Sequence, residues 1–362
     1  MTSLSRVRSL RSLREPLVSE ALRDGVSSAT GPPEGPPTGA VGRPTESEAA
    51  ALGRRLRERD RSAAPAALNL LEDRTPAGRE AAAALLAEVS PAALGGEAGA
   101  HLVGVTGPPG AGKSSLLSAL VAAWRAPGRT VAVLAVDPSS KRSGGSLLGD
   151  RARIEHHPAD DGILIRSTAA AGRLGGLAAA TRTAAQALAA AFDVVVVETV
   201  GVGQSETEVE ELCDTVAVVV QPGSGDTLQF LKAGIMEVPD LLVVTKADLG
   251  EVARRARRDL AGALQSLGVI ETPVLSVSSL PPPEGIDELA AAIDEHRRGL
   301  DLPRERTHAR RMTALSEFAV EHGERGLRAV GGRRAAERRL DELDPALGTS
   351  ALVSELERAA RG

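Results

Sequence analysis

The chain has 362 residues and a net charge of −5, with 42% apolar and 25% charged residues. That suits a globular protein of two domains, or one large domain with extensions. The negative net charge gives no basic field that favours nucleic acid, aromatics at 1% argue against base-stacking platforms, and the single cysteine, Cys213, excludes a disulfide scaffold and a paired-cysteine zinc site.

Residues 1–45 mix Arg, Ser, Gly and Pro, and Gly31-Pro32-Pro33-Glu34-Gly35-Pro36-Pro37 fits neither helix nor central strand. A disordered arm is expected there. No continuous apolar stretch marks a secretory signal, and no run of about 18 apolar residues marks a membrane span. One cysteine suits a reducing compartment, so the expected location is the cytoplasm. Residues 46–98 are rich in Ala, Leu, Arg and Glu, with apolar residues at helical spacing, as in Ala67-Leu68-Asn69-Leu70-Leu71. Two or three packed helices are expected, with Pro76 near a helix start.

From 99 to 300, β-branched runs alternate with Ala-rich stretches. Strands are predicted at Val103–Thr106, Val131–Val136, Ile163–Ile165, Val194–Glu198, Val216–Val220, Leu241–Thr245 and Val274–Val277. Continuous Val-rich runs suit strands buried on both faces of a parallel sheet, and the helices between them predict a three-layer α/β domain with a mostly parallel central sheet. Residues 301–362 read as nearly neutral charged helices, twelve Arg against eleven Asp plus Glu. This helical extension suits solvated helices or a dimerisation arm better than a nucleic-acid tail.

Gly107-Pro108-Pro109-Gly110-Ala111-Gly112-Lys113-Ser114 fits G-x-x-x-x-G-K-[ST] between a predicted strand and a predicted helix beginning at Ser115. Its glycines let backbone N–H groups converge on phosphate oxygens, and the helix N-terminus adds a favourable field. Lys113 is expected to reach the β- and γ-phosphates and Ser114 to ligate Mg²⁺. Thr245-Lys246-Ala247-Asp248 ends another predicted strand and resembles the base-reading N/T-K-x-D motif of GTPases. A carboxylate at Asp248 can accept from both N1–H and the exocyclic amine of guanine, a donor pair that adenine lacks. The Lys246 stem can lie across the purine, and Ser278-Ser279, after the last strand, can support the base.

Three further segments begin on strands and end in glycine-rich turns at the carboxyl edge, where ligands bind in open α/β folds. They are Asp137-Pro138-Ser139-Ser140-Lys141 through Gly149-Asp150, Glu198-Thr199-Val200-Gly201-Val202-Gly203-Gln204, and Gln221-Pro222-Gly223-Ser224-Gly225-Asp226-Thr227-Leu228-Gln229-Phe230-Leu231-Lys232. With these strings the chain, over about residues 50–300, closely resembles the MeaB/ArgK family of methylmalonyl-CoA mutase-associated GTPases. Those proteins are P-loop NTPases of the SIMIBI class, also described as ATPases of lysine/arginine/ornithine transport. The resemblance implies a Mg²⁺-dependent GTP hydrolase that cycles between GTP and GDP. It would serve as a chaperone and switch for an adenosylcobalamin-dependent acyl-CoA mutase and work as a homodimer. It places Asp137, Asp150 and Glu198 near Mg²⁺ and the γ-phosphate, and gives the Gly201 amide to γ-phosphate sensing. It puts Asp226, Gln229 and Lys232 in a third switch that supports hydrolysis. Two alternatives stay open at this point, an ATP-dependent kinase or ATPase linked to amino-acid transport and a nucleotide-binding scaffold without turnover.

Other residues invite a plainer reading. Cys213 reads as a small buried residue, and His156-His157 as solvated loop histidines, since adjacent side chains rarely converge on one ion. Arg254-Arg255 and Arg257-Arg258 read as a solvent face. Only four basic residues are lysine, namely Lys113, Lys141, Lys232 and Lys246, and all four fall in the nucleotide segments. A compact ammonium on a slim stem is not replaced there by a forked guanidinium.

Overall fold

The computed structural model describes residues 45–137, 154–157, 159–169, 179–200, 204–223, 239–266 and 271–361. Helix α1 (Glu46–Arg57) opens with a reciprocal cap. The Thr45 hydroxyl accepts from the Glu48 amide at 3.3 Å, and the Glu48 carboxylate accepts from the Thr45 amide at 2.7 Å. Helices α2 (Ala64–Leu71) and α3 (Pro76–Glu88) and the single turn α4 (Pro91–Leu94) follow. Four helices therefore stand where two or three were expected. Pro65, Pro76 and Pro91 each occupy a first turn, where a missing N–H costs nothing, so each proline starts a helix of its own.

All seven predicted strands are present: β1 (His101–Thr106), β2 (Val131–Asp137), β3 (Ile163–Ala169), β4 (Val194–Thr199), β5 (Thr215–Val220), β6 (Leu241–Val244) and β7 (Val274–Ser276). They form one sheet in the order β3-β2-β4-β1-β5-β6-β7, and every pairing is parallel. Strand β3 runs four residues past its predicted end at Ile165. It is an edge strand, and its polar continuation, Arg166-Ser167-Thr168, hid its length. Arg166 ties that edge to the N-terminal helices, donating to Glu72 at 2.6 Å and Asn69 at 2.9 Å.

Helices α5 (Lys113–Arg125), α6 (Ala179–Ala189), α7 (Gln204–Leu212), α8 (Glu251–Ser266) and α9 (Ile286–Gly299) flank the sheet. Alternate strand residues go to opposite layers. Val103, Val105, Val131, Val133, Val194 and Val196 pack with Trp124 of α5 and Ile293 of α9. Leu102, Ala132, Leu134, Val195 and Val197 pack with α6 and the N-terminal helices. With so few aromatics, close approach replaces bulk. A Cβ at Gly104 would lie 2.3 Å from Val209 of α7, so only glycine admits that helix so near β1.

The chain ends in α10 (Leu302–Ala329), broken at Gly323, α11 (Arg333–Asp341) and α12 (Thr349–Arg361), around a small core of Leu315, Phe318, Leu340, Leu352 and Leu356. Buried Arg306 fastens α10 to the sheet. It donates to Asp214 at 2.8 and 2.6 Å and to the carbonyls of Ala98 and Ala100, both at 2.6 Å. Among the described residues no helix is long and apolar enough to cross a membrane.

The amino edge of the sheet carries a connected polar chain. The Nε2 of buried His101 lies 2.8 Å from the Thr215 hydroxyl, which lies 2.9 Å from Nδ1 of His296, whose Nε2 is 3.1 Å from Asp240. Burial, only partly opposed by the Asp214 charge, holds the His101 pKa down to about 4 from an ordinary 6.5. The unfolded chain therefore takes up a proton below pH 6.5 that the folded chain refuses until about 4. The stabilisation from His101 is complete above pH 6.5 and lost as the pH falls toward 4. Urea unfolding across that range is expected to show declining stability, with a shallower decline in His101→Gln.

Candidate nucleotide-binding site

The site is built on the carboxyl ends of β1, β4, β5 and β6. Beyond β1 the chain turns through three glycines with positive φ, Gly107 at 148°, Gly110 at 78° and Gly112 at 91°. A Cβ at Gly107 would sit 2.1 Å from the Val219 carbonyl oxygen of β5. That close passage, and the left-handed turns after it, explain the glycines. Gly112 precedes α5 without any side-chain cap, so the first amides of that helix are left for a ligand. Lys113 opens α5, two residues before the predicted start. Its side chain is buried and folds back over the loop, with Nζ donating to the carbonyls of Gly107 at 2.8 Å and Pro108 at 3.2 Å. Ser114 is half-buried and Ser115 exposed in the first turn. The Ser118 hydroxyl donates to the Ser114 carbonyl at 3.0 Å and accepts from the Glu155 amide at 2.9 Å. It thus anchors α5 to the chain beyond the first switch segment, a role invisible in the motif.

The base motif is stitched to this loop. Thr245, just past β6, is buried and donates from its hydroxyl to the Ala111 carbonyl at 2.6 Å. Lys246 takes a left-handed conformation, φ 55°, which carries its side chain back over the loop. Its Nζ donates to the Gly110 carbonyl at 3.3 Å and to Oε1 of Gln221 at 2.5 Å. Asp248 is exposed, and one of its carboxylate oxygens accepts from the buried Ser278 hydroxyl at 2.9 Å. Ser278 therefore acts on Asp248, and Ser279 stands beside it. Gln221 begins the third switch segment, and its bond to Lys246 is a contact that motif spacing does not reveal.

Glu198 is 5% exposed near the end of β4, in register with Val105 of β1 and Ala135 of β2. Close by, the buried hydroxyls of Thr106 and Thr199 have no hydrogen-bond partner among the described residues. Sequence reasoning passed over both, since a threonine at a strand end carries no motif. Asp137 closes β2. Asp150, Gly201, Asp226, Gln229 and Lys232 lie outside the described residues, as does Lys141. Cys213 packs against the core, where burial raises its thiol pKa well above the ordinary value. His156 and His157 are exposed. The arginines of α8 are mostly held within the helix, Arg254 and Arg258 by Glu251 and Arg255 by Asp259.

The geometry so far describes a phosphate loop and a carboxylate-bearing base motif locked together, and comparison with known proteins decides which family they belong to. Residues 64–326 match the family model of the methylmalonyl-CoA mutase-associated GTPase MeaB. The chain belongs to that family. It is a GTP hydrolase and binds guanine nucleotide. A Pyrococcus abyssi protein carrying a GTPase name is 43% identical over 254 residues, 68% of this chain and 75% of its own. A Caulobacter vibrioides relative, also named as a GTPase, is 39% identical over 86% of this chain and 91% of its own. A crystal structure of an LAO/AO transport system kinase superposes with a TM-score of 0.58 at 29% identity, covering 88% of this chain and 99% of that one.

In this GTPase, the Ser278 hydroxyl holds the Asp248 carboxylate in place. Hydrogen bonds to charged groups contribute about 1.5–3 kcal/mol. Ser278→Ala is expected to weaken GDP binding by roughly tenfold or more. Equilibrium titration with a fluorescent guanine nucleotide checks this, and the fold itself is expected to be retained.

Proposed function

We propose that this GTPase is a nucleotide-driven chaperone and switch for an adenosylcobalamin-dependent acyl-CoA mutase. It would gate delivery of the cofactor and protect the mutase from inactivation, with GTP hydrolysis as the timer. The family description supplies the association with methylmalonyl-CoA mutase. The observation that carries the switch is the pair of bonds from Lys246, one to Gly110 in the phosphate loop and one to Gln221 at the head of the third switch segment. Nucleotide contacts made by the loop can thereby reach the segment that ends in Lys232.

The proposed chemistry follows from the groups present. Lys113 leaves its loop carbonyls and moves onto the β- and γ-phosphate oxygens, while the amides of residues 107–115 (Gly107, Pro108, Pro109, Gly110, Ala111, Gly112, Lys113, Ser114 and Ser115, the prolines excepted) surround the phosphates. Asp226, Gln229 and Lys232 support the attack of water on the γ-phosphorus. The bond from that phosphorus to the bridging oxygen breaks, leaving GDP and phosphate. Gly201 reports loss of the γ-phosphate and releases the switch loops. Mg²⁺ fits the donor set, since the buried Glu198 carboxylate and the unpartnered Thr106 and Thr199 hydroxyls make these strand ends an all-oxygen neighbourhood. Ser114, Asp137, Asp150 and Glu198 would hold the ion, which supplies neutralising charge to the phosphate oxygens.

The working unit we infer is a cytoplasmic homodimer, with the helices beyond residue 300 as its arm. Residues 46–98 would be a helical segment and 99–300 the GTPase domain. The deciding experiment mixes the protein with candidate cobalamin-dependent mutases and measures complex formation and GTP hydrolysis before and after. Binding with altered turnover is expected, and indifference to every such mutase would sink the chaperone reading. Lys113→Ala is expected to abolish hydrolysis. Lys232→Arg is expected to slow it without weakening GTP binding, and wild-type turnover in that variant would remove Lys232 from the machinery.

A further inference from the structure

A cavity of about 80 Å³ lies where α6, α7, α10 and the N-terminal helices meet. Three arginines line it, and they are held very differently. Arg306 is locked onto Asp214 and two backbone carbonyls, as described above. Arg310 makes a two-pronged pair with Glu97, both contacts at 2.8 Å. Arg182 of α6 is 7% exposed, yet its contacts among the described residues are all long. It lies 3.4 Å from Glu208 and 3.5 Å from Glu211, both on α7, and 3.5 Å from the Thr313 hydroxyl on α10. One turn along α10 from Thr313, and lining the same cavity, stands Glu317. Its Oε1 is buried without a hydrogen-bond partner among the described residues.

We propose that Arg182 is a positioning residue that exchanges carboxylate partners, leaving Glu208 and Glu211 of α7 for Glu317 of α10 as the nucleotide state changes. This inference rests on the reading of Gly201 as the γ-phosphate sensor. Helix α7 begins at Gln204, three residues beyond Gly201. Drawing that segment toward a γ-phosphate draws the two α7 carboxylates away from Arg182. The guanidinium then turns across the cavity, Glu317 gives up its proton to solvent, and a new ion pair forms on α10. The C-terminal helices thereby receive the state of the nucleotide.

The electrostatics favour such an exchange. Burial pushes the Glu317 carboxyl up to about 7, against the pull of Arg182 and with the help of Glu321 on the same helix. Glu211 faces the cavity from α7, Glu97 with Arg310 closes it as a paired unit, and Thr349 adds a neutral group from α12. Full pairing with an arginine lowers a carboxyl by about 1–3 units, so the exchange couples to pH by about tenfold or more.

The test compares affinities for GDP and a non-hydrolysable GTP analogue at pH 6 and pH 8 in the full-length chain, its Glu317→Gln variant, Arg182→Met and Arg182→Lys. The wild-type preference for the GTP analogue is expected to rise about tenfold more across that range than in Glu317→Gln. Arg182→Met is expected to lose the same increment, and Arg182→Lys to restore part of it. Equal melting temperatures of nucleotide-free wild type and Glu317→Gln at pH 6, where the unpaired Glu317 carboxyl is mostly protonated, establish that the variant folds. An equal pH dependence in wild type and Glu317→Gln, or an increment of opposite sign, overturns the exchange. If instead neither nucleotide binds, or Gly201→Ala keeps the wild-type preference between GDP and the GTP analogue, the underlying reading of Gly201 has failed, and the two failures are separately visible.

Discussion

At Gly107 the backbone leaves β1 and passes so near β5 that a side chain would run into the Val219 carbonyl. The phosphate loop is therefore seated on the sheet by a backbone-to-backbone contact that tolerates no Cβ. The same strand continues to Gln221, and its neighbour β6 delivers Thr245 and Lys246. From there the contacts return: Thr245 to Ala111, Lys246 to Gly110 and to Gln221. Each of these segments is held by another, so the positions of the Thr245-Lys246 turn, the glycine loop after β1 and Gln221 are interdependent. Without the tight passage at Gly107 the loop would stand off from β5, and the return contacts could not form.

The two kinds of basic side chain divide the work along physical lines. Planar guanidinium forks make paired contacts that hold layers together: Arg306 to Asp214, Arg310 to Glu97 and Arg125 to Asp160. The two lysines among the described residues do something else. Lys113 and Lys246 both rest their ammonium groups on backbone carbonyls of the phosphate loop. An ammonium held by neutral carbonyls is easily drawn to phosphate, whereas a fork locked to a carboxylate is not. Arg182 departs from its own class, since its contacts are long and its neighbours are acids on two different helices.

The two edges of the sheet are also unlike. At the amino edge most polar groups are linked into networks, such as His101–Thr215–His296–Asp240, though Nδ1 of His101 has no hydrogen-bond partner among the described residues, and the Asp193 carboxylate accepts from Thr130 and Arg59 together. At the carboxyl edge lie the left-handed glycines, an uncapped helix start and the unpartnered hydroxyls of Thr106 and Thr199. Polar networks are denser where the strands begin, and the left-handed turns and the uncapped helix start lie where they end, the edge at which ligands bind in open α/β folds.

The amino-acid sequence by itself determined the parallel sheet, because Val-rich runs between helical stretches can only be buried from both sides. It also determined the phosphate loop and the base motif, whose glycines, lysines and carboxylate have no substitutes at that spacing. It understated β3, whose polar half is legible as strand only once Arg166 is seen tied to α2, and it undercounted the N-terminal helices, which three prolines divide. The tertiary structure alone decided the cross-contacts: Ser278 on Asp248, Gln221 on Lys246, and Arg182 set among the acids of α7 and α10. These pairs are 30, 25 and more than 25 residues apart or lie on separate helices, and they meet because the strands and helices carrying them pack side by side. Local pattern records what a segment becomes. Which side chains meet depends on how the segments are stacked, and that is settled only by burying the whole core at once.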